Sequence, residues 1–211
     1  MKTVAIVPIK LNNERLPGKN TKILGSKPLI RYILDTLLQV DGIDDFFVYC
    51  SNEAICDYLP EKVQFLKRPE VLDLPTSNFH QILDSFMTQI DADLYVYAHA
   101  TAPFITKETI DDCIRKVKDG EYDSAFTAMK IRDYLWMNGK PLNFDAENLP
   151  RSQDLPVIYR ESSGIYVFSK TVYLRRHYRI GVRPYIKEVS HKESIDINTS
   201  EDFELAKLML I

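Results

Sequence analysis

Residues 3–20 read TVAIVPIKLNNERLPGKN, an apolar run that passes directly into a basic loop. Its first five residues carry no charge and are rich in β-branched side chains, which predicts a fully buried strand. The chain then becomes polar and basic before helical periodicity begins at Pro28. A strand end that brings cations and free backbone N–H groups together is typical of a phosphate site. The spacing is not that of a Walker A motif, and a basic loop of this kind can also be an ordinary solvated turn.

Length and composition are those of one α/β domain. The 211 residues are 45% hydrophobic and 27% charged, enough to bury a core without disulfides. The net charge of −3 argues against broad nucleic-acid binding. No apolar run approaches the roughly 18 residues of a membrane span, and the start reads as a strand, not as a signal peptide. Three cysteines without metal-ligand spacing predict reduced thiols in a cytoplasmic protein.

Strand and helix patterns alternate along the chain. The predicted strands are 3–7, 46–50, 63–66, 94–98 and 164–168, and the predicted helices are 28–38, a short one opening at Asn52, 77–90 capped by Thr76 or Ser77, one capped by Thr106, 171–177, and 200–210 capped by Thr199 or Ser200. This order predicts an α/β fold with a three-layer, mostly parallel sheet and helices on both faces. Such sheets bind ligands at the carboxyl ends of their strands. The loops after Val7, Cys50, Leu66 and Ala98 should therefore line one crevice.

The alternation stops after Lys130. Residues 131–160 contain Asn138-Gly139, a tight-turn signal, so we expect a hairpin or a protruding arm inserted in a single domain of residues 1–211. Such an arm cannot bury Trp136, Leu142 and Phe144 alone, which predicts that it docks on a second copy and forms a homodimer. The alternative is a hairpin folded back on its own sheet.

Five motifs, in order along nearly the whole chain, resemble those of the sugar-acid cytidylyltransferases, the family of the acylneuraminate and Kdo enzymes. They are Pro8-Ile9-Lys10 with Leu16-Pro17-Gly18-Lys19-Asn20, Phe65 to Glu70, His99 to Pro103, Gln153 to Pro156 with Gly164-Ile165-Tyr166, and Ile195 to Phe203. The resemblance implies a Rossmann-like nucleotide-diphospho-sugar transferase fold. It also implies that the anomeric hydroxyl of a sialic-acid-like sugar acid attacks the α-phosphate of CTP, giving a CMP-sugar for surface glycans and pyrophosphate.

The resemblance assigns Lys10 and Lys19 to the triphosphate and to charge developing on the α-phosphate. Lys10 stands where the family has arginine. A lysine attracts phosphate as a point charge and lacks the paired N–H donors of a guanidinium. The full set implied for nucleotide binding is Lys10, Asn12, Arg15, Lys19, Asn20, Arg68, Ser77 and Asn78. Arg68 could instead be a surface cation near Glu70, and Ser77 could serve only as a helix cap.

Asp196 is the best candidate for binding Mg²⁺, and it counts as a catalytic residue with Lys10 and Lys19. Mg²⁺ takes hard carboxylate oxygens together with phosphate oxygens and waters. The family has a second aspartate where this chain has Asn198, so one anionic ligand remains. The alternative is that Asp196 and Asn198 only cap the last helix.

The motifs depart from the family around the expected acceptor. The residues implied for substrate binding are His99, Thr101, Arg151, Gln153 and Tyr166. His99 replaces a glutamine, and Ser152 stands where an arginine precedes Gln153, although Arg151 could substitute. Two alternatives therefore stay open: a nucleotidyltransferase for a phosphorylated or otherwise unusual acceptor, and a catalytically weak nucleotide-binding relative.

Overall fold

A computed structural model describes residues 1–210. The chain forms a seven-stranded sheet and two short two-stranded ribbons. In chain order the strands are β1 Thr3–Ile9, β2 Ile23–Leu24, β3 Lys27–Pro28, β4 Asp45–Cys50, β5 Gln64–Lys67, β6 Leu94–Ala98, β7 Ser124–Ile131, β8 Trp136–Met137, β9 Lys140–Pro141, β10 Ile158–Ser169 and β11 Pro184–Glu188. The helices are α1 Leu29–Leu37, α2 Phe79–Met87, α3 Lys107–Lys118, α4 Lys170–Arg176 and α5 Ser200–Leu208.

The large sheet has the order β11-β7-β10-β6-β1-β4-β5. Strand β1 lies near its centre and pairs in parallel with β4 and β6, which explains why it carries no charge. Only β10 runs against its neighbours β6 and β7. The predicted mostly parallel sheet is thereby confirmed. The carboxyl ends of β1, β4, β5 and β6 share one edge, and this edge carries the candidate site.

Helices cover both faces of the sheet, as predicted. Helices α1 and α3 bury residues spaced three and four apart against one face, and α2 and α4 pack on the other. The buried residues of the first pair are Ile30, Ile33, Leu34, Leu37, Ile110, Cys113, Ile114 and Val117. Helix α5 closes a smaller cluster around Leu24, Ile197 and Phe203.

The helix caps were predicted with mixed success. Thr106 caps α3 and Thr199 caps α5, the latter in a capping box with Asp202. The prediction of Thr76 or Ser77 as the cap of α2 is wrong. Asn78 caps this helix, because its side chain accepts from the backbone N–H of Gln81 while the Gln81 side chain accepts in return.

The segment between β7 and β10 forms the predicted hairpin. Strands β8 and β9 pair across Asn138 and Gly139, whose φ angles of 52° and 76° are those of a tight hairpin turn. Trp136 is 61% exposed and packs edge-on against Phe144. The hairpin therefore leaves much of its apolar surface uncovered within this chain, and docking on a second copy stays a prediction.

Two features bear on the class of protein. The three cysteines are free thiols; Cys50 and Cys113 are buried and Cys56 is exposed. Within residues 1–210, no helix is both long and apolar enough to cross a membrane.

Candidate active site

Three clefts lie side by side along the carboxyl edge of the sheet. We call the one lined by Lys10, Arg15 and Lys19 the basic cleft, the one beside Ser51, Lys67 and Asp73 the β5 cleft, and the one beside Glu161, Ser163 and Asp196 the β10 cleft; their volumes are about 270, 680 and 530 Å³. The basic cleft shares Glu14 with the β5 cleft and Asn198 with the β10 cleft. The three clefts form one continuous trough. Residues of the loops after β1, β4 and β5 line it, as the sequence predicts, whereas none of the lining residues comes from the loop after β6.

The loop after β1 is shaped by a short 3-10 turn, Lys19–Thr21. Gly18 precedes the turn with a φ of 65°, a conformation that favours glycine. The turn buries Lys19, whose Nζ donates to the carbonyl of Ile197 at 2.8 Å. Burial lowers the pKa of Lys19, and the Asp196 carboxylate acts against this shift. A shielded ammonium with spare donors thus faces the basic cleft.

Two further cations line the basic cleft. Lys10 is half-buried, and its Nζ lies 3.5 Å from the carbonyl of Asp73. Arg15 is exposed and donates to Oδ1 of Asn198 at 2.8 Å. Asn20 is buried, and its Nδ2 donates to the carbonyl of Lys10, so this side chain fixes the loop. The structure therefore brings Lys10, Arg15 and Lys19 together, with Asn20 supporting them.

On the β5 side, Arg68 is not the surface cation of the alternative interpretation. It is only 3% exposed and forms an ion pair with Asp73, which also accepts from the hydroxyl of Ser51. Its buried Nε has no hydrogen-bond partner among the described residues. Asn12 and Asp73 line the β5 cleft, whereas Arg68 is not among its lining residues.

Ser77 and Asn78 lie in the turn before α2. The hydroxyl of Ser77 donates to the carbonyl of Val71, so Ser77 is not the helix cap. The side-chain Oδ1 of Asn78 accepts from the backbone N–H of Gln81 in the capping box.

Asp196 and Asn198 project to the same side of the extended segment before α5. Nδ2 of Asn198 donates to Oδ2 of Asp196 at 2.7 Å. The alternative that both only cap α5 is wrong, because Thr199 and Asp202 form that cap. Although burial raises the pKa of Asp202, the backbone N–H groups of Asn198 and Thr199 lower it overall. Oδ1 of Asp196 is buried and has no partner within residues 1–210.

Of these two side chains, only Asp196 offers a free oxygen to a divalent cation. Oδ1 of Asp196 is a hard oxygen left without a donor, which fits such an ion. Asn198 uses its carbonyl oxygen for Arg15 and its amide for Asp196, so it offers no free ligand in this arrangement. No group of three or more His, Cys, Asp or Glu side chains in the described chain could hold a metal ion. Further ligands must come from bound phosphates and water.

His99 and Tyr166 lie near the carboxyl end of β6. The backbone N–H of His99 donates to the carbonyl of Gly164, and its buried Nε2 has no partner among residues 1–210. Burial lowers the pKa of His99 to about 4, helped by the positive charge of Arg179 and opposed by Asp196. Tyr166 is buried and donates to Oε2 of Glu161 at 2.6 Å. The folded protein therefore favours the neutral imidazole of His99, although the charge of Asp196 opposes this shift.

Other residues expected at the acceptor are less close to this centre. Thr101 supplies a backbone carbonyl to the N–H of Ile197, which ties the Asp196 segment to the loop after β6. Gln153 belongs to the 3-10 turn Ser152–Asp154 in the β7–β10 connection, and Arg151 immediately precedes this turn in an extended conformation. The guanidinium of Arg151 is exposed and paired with Asp154 at 2.7 Å. The structure of this chain therefore does not bring Arg151 into the group around His99.

The sequence patterns missed two charged residues of the site. Arg179 follows α4 and lies over the ring of Tyr166, with 3.5 Å between Cζ and the ring centroid. Glu161 lines the β10 cleft. Neither belongs to a motif, and the only signal at Arg179 is an arginine among aromatic residues in the run HYRIG, residues 177–181.

The family model described as "Cytidylyltransferase" matches residues 4–209. Curated relatives include the N-acylneuraminate cytidylyltransferase of Streptococcus agalactiae serotype III, 22% identical over 96% of this chain and 52% of the relative. They also include the pseudaminic acid cytidylyltransferase of Campylobacter jejuni subsp. jejuni serotype O:2, 23% identical over 99% and 96%, and the CMP-N,N'-diacetyllegionaminic acid synthase of Legionella pneumophila, 24% identical over 100% and 97%. The chain thus spans about half the length of the streptococcal relative.

Solved structures share the fold. A CMP:2-keto-3-deoxy-manno-octonic acid synthetase complexed with CTP superimposes with a TM-score of 0.73 at 17% identity, covering 100% of this chain and 98% of that one. The 4-diphosphocytidyl-2C-methyl-D-erythritol synthase of Anaerococcus prevotii gives a TM-score of 0.69 at 14% identity, covering 99% and 98%. These likenesses establish the three-layer architecture.

Proposed function

The chain belongs to the cytidylyltransferase family, and from this premise we propose that it couples CTP to a sugar acid of the nonulosonic class. The relatives named for N-acylneuraminate, pseudaminic acid and legionaminic acid support this acceptor class. In the proposed reaction the anomeric hydroxyl attacks the α-phosphate. The new bond joins that oxygen to phosphorus, the bond to the β-phosphate oxygen breaks, pyrophosphate leaves, and the hydroxyl proton passes to solvent.

The observation that carries the proposal is the shielded ammonium of Lys19, which faces the basic cleft with Lys10 and Arg15 beside it. A triphosphate brings about four negative charges, and fixed cations in a partly desolvated cleft stabilise the added charge of the transition state. Phosphate oxygens near Lys19 would also restore the pKa that burial lowers. The basic cleft is therefore proposed to hold the phosphates and the β5 cleft the nucleoside.

Mg²⁺ is the proposed metal, with Oδ1 of Asp196 as its protein ligand. When bound, it would neutralise part of the phosphate charge and so favour departure of pyrophosphate. Asn198 keeps the Asp196 carboxylate in place through its amide and holds Arg15 through its carbonyl. With one carboxylate in place of two, the metal should bind weakly without the nucleotide.

The proposal includes a homodimer joined through the β7–β10 connection and a cytoplasmic location. The exposed Trp136, Met137 and Leu149 on this connection support the former. The three free thiols favour a reducing compartment. Light scattering at micromolar concentration tests the oligomeric state, and a monomer would contradict the dimer.

Pyrophosphate release from CTP and Mg²⁺ with a panel of acceptors tests the function. The panel holds N-acetylneuraminic, pseudaminic and legionaminic acids, Kdo, and phosphorylated sugars, with omission of the acceptor as the blank. Turnover with at least one sugar acid is expected. Turnover with phosphorylated acceptors alone would replace the proposed acceptor class, and CTP binding without any turnover would contradict the enzymatic function.

A further inference from the structure

Arg179 lies beside Glu161, a residue that lines the β10 cleft, and its guanidinium has no hydrogen-bond acceptor among residues 1–210. Its side chain is only 17% exposed. Nε is buried and has no partner among residues 1–210, and Nη2 lies 3.9 Å from Oε2 of Glu161, beyond hydrogen-bond distance. Shielding a guanidinium from water in this way costs free energy, and the long ion pair with Glu161 offsets this cost only in part.

Three aromatic rings hold the guanidinium in place. Its Cζ lies 3.5 Å from the ring centroid of Tyr166, 4.8 Å from that of Phe79 and 5.9 Å from that of Tyr97. Contacts with ring faces compensate part of the charge but leave the N–H donors unused. A group fixed in this way is preorganised to bind a ligand, because little side-chain entropy remains to be lost.

The position of Arg179 is on the acceptor side of the proposed reaction. The Arg179 guanidinium lies over Tyr166, whose ring centroid is 6.1 Å from that of His99, and its charge helps burial to lower the pKa of His99. Glu161, which faces Arg179, lines the β10 cleft, and this cleft meets the basic cleft at Asn198. A sugar in the β10 cleft would thus contact the wall that holds Glu161, whose carboxylate lies 3.9 Å from Arg179.

We propose that Arg179 binds the carboxylate of the acceptor, an inference that rests on the proposed function. A guanidinium presents paired N–H donors that match the two oxygens of a carboxylate. Arg151, the arginine beside Ser152, already forms an ion pair with Asp154. Glu161 carries the same sign of charge as the proposed ligand and competes with it for Arg179. The side chain of Glu161 is 40% exposed, however, and it accepts a hydrogen bond from the hydroxyl of Tyr166.

The test compares the acid that the wild-type protein turns over, from the panel above, with the carboxamide of the same sugar. The variants are Arg179→Gln, Arg179→Lys and Glu161→Gln, and Arg183→Gln is the matched control, since its guanidinium donates to the carbonyl of Gly120. KM for the acid, KM for the carboxamide, KM for CTP and the thermal midpoint are measured for each protein. Arg179→Lys keeps the positive charge but removes the paired N–H donors of the guanidinium.

For Arg179→Gln we expect KM for the acid to rise roughly 10- to 100-fold, the usual effect of losing a charged hydrogen-bond partner. KM for the carboxamide and for CTP should not change, and Arg179→Lys should fall between the wild type and the glutamine variant. Glu161→Gln should lower KM for the acid, because it removes a repelling charge.

Three results would overturn the inference. An equal rise in KM for the acid and for the carboxamide in Arg179→Gln would mean that Arg179 only supports the fold. A similar rise in KM in both Arg179→Gln and Glu161→Gln would mean the same. Weakened turnover of phosphorylated acceptors alone would mean that Arg179 binds a phosphate. Absence of turnover with every acid in the wild type would contradict the proposed function itself, and this inference with it.

Discussion

The buried imidazole of His99 makes the stability of the protein depend on pH in a defined window. Burial lowers the pKa of His99 from 6.5 to about 4, so the folded state favours the neutral ring. Between these two values the unfolded chain binds the proton more tightly, and protonation therefore favours unfolding. The free energy of unfolding should fall as the pH decreases from 6.5 to 4, by up to about 3 kcal/mol, since each pKa unit corresponds to about 1.36 kcal/mol.

Other titrating groups act at lower pH. The pKa values of Asp84, Asp112, Asp123 and Asp202 lie below the ordinary 3.8. A depressed carboxyl pKa stabilises the fold above the unfolded value and loses this effect as the pH falls through the folded value. Their contribution is therefore lost below about pH 4. The pKa values of Glu121 and Glu201 also lie below their ordinary 4.5, so their contribution is lost from about pH 4.5 downward, and the difference between the wild type and His99→Gln isolates the effect of His99.

Urea unfolding followed by circular dichroism at half-unit steps from pH 7 to 4 measures the effect. His99→Gln should flatten the dependence in this window. His191→Gln, at an exposed position, serves as the control and should retain the wild-type slope. An unchanged slope in His99→Gln, or greater stability of the wild type at pH 4 than at pH 6.5, would refute the reasoning.

Three other predictions concern packing and the site. Gly164→Ala places a Cβ 2.6 Å from Cδ1 of Ile105 and should cost about 1–3 kcal/mol in urea unfolding, whereas Gly42→Ala meets its nearest neighbour at 3.4 Å and should be near neutral. Lys19→Met should lower kcat for pyrophosphate release by about 10²- to 10³-fold, as expected for losing one donor to transition-state charge, and a fully active variant would contradict its assignment. Asn198→Asp should lower the Mg²⁺ concentration that gives half-maximal rate, because it adds a second carboxylate; an unchanged Mg²⁺ dependence would assign this residue a structural role only.

Elements with strong local signals were predictable. Apolar residues at helical spacing identified α1, and uncharged β-branched residues identified β1. Strand β7 was missed because SAFTAMKI mixes small and polar residues, and β11 because an edge strand tolerates the proline and charges of PYIKE. At the start of α2, several consecutive residues can cap a helix, and only the reciprocal bond with Gln81 selects Asn78.

The same contrast holds for the candidate site. Residues within motifs, such as Lys10, Lys19 and Asp196, were predictable and lie along one trough. The partners that fix them come from distant segments, so spacing along the chain carries no information about them. Arg179 is positioned by rings of α2, β6 and β10, which meet only after folding.

Strand β10 connects the hairpin segment to the candidate active site. Its outer half, Ile158 to Glu161, pairs only with β7, whereas its inner half, Ile165 to Ser169, is held between β6 and β7. The two halves meet at a bulge where Ser163 has a φ of 53°. The outer half of β10 therefore runs from the hairpin connection directly into the wall of the β10 cleft, where Glu161, Ser162 and Ser163 lie.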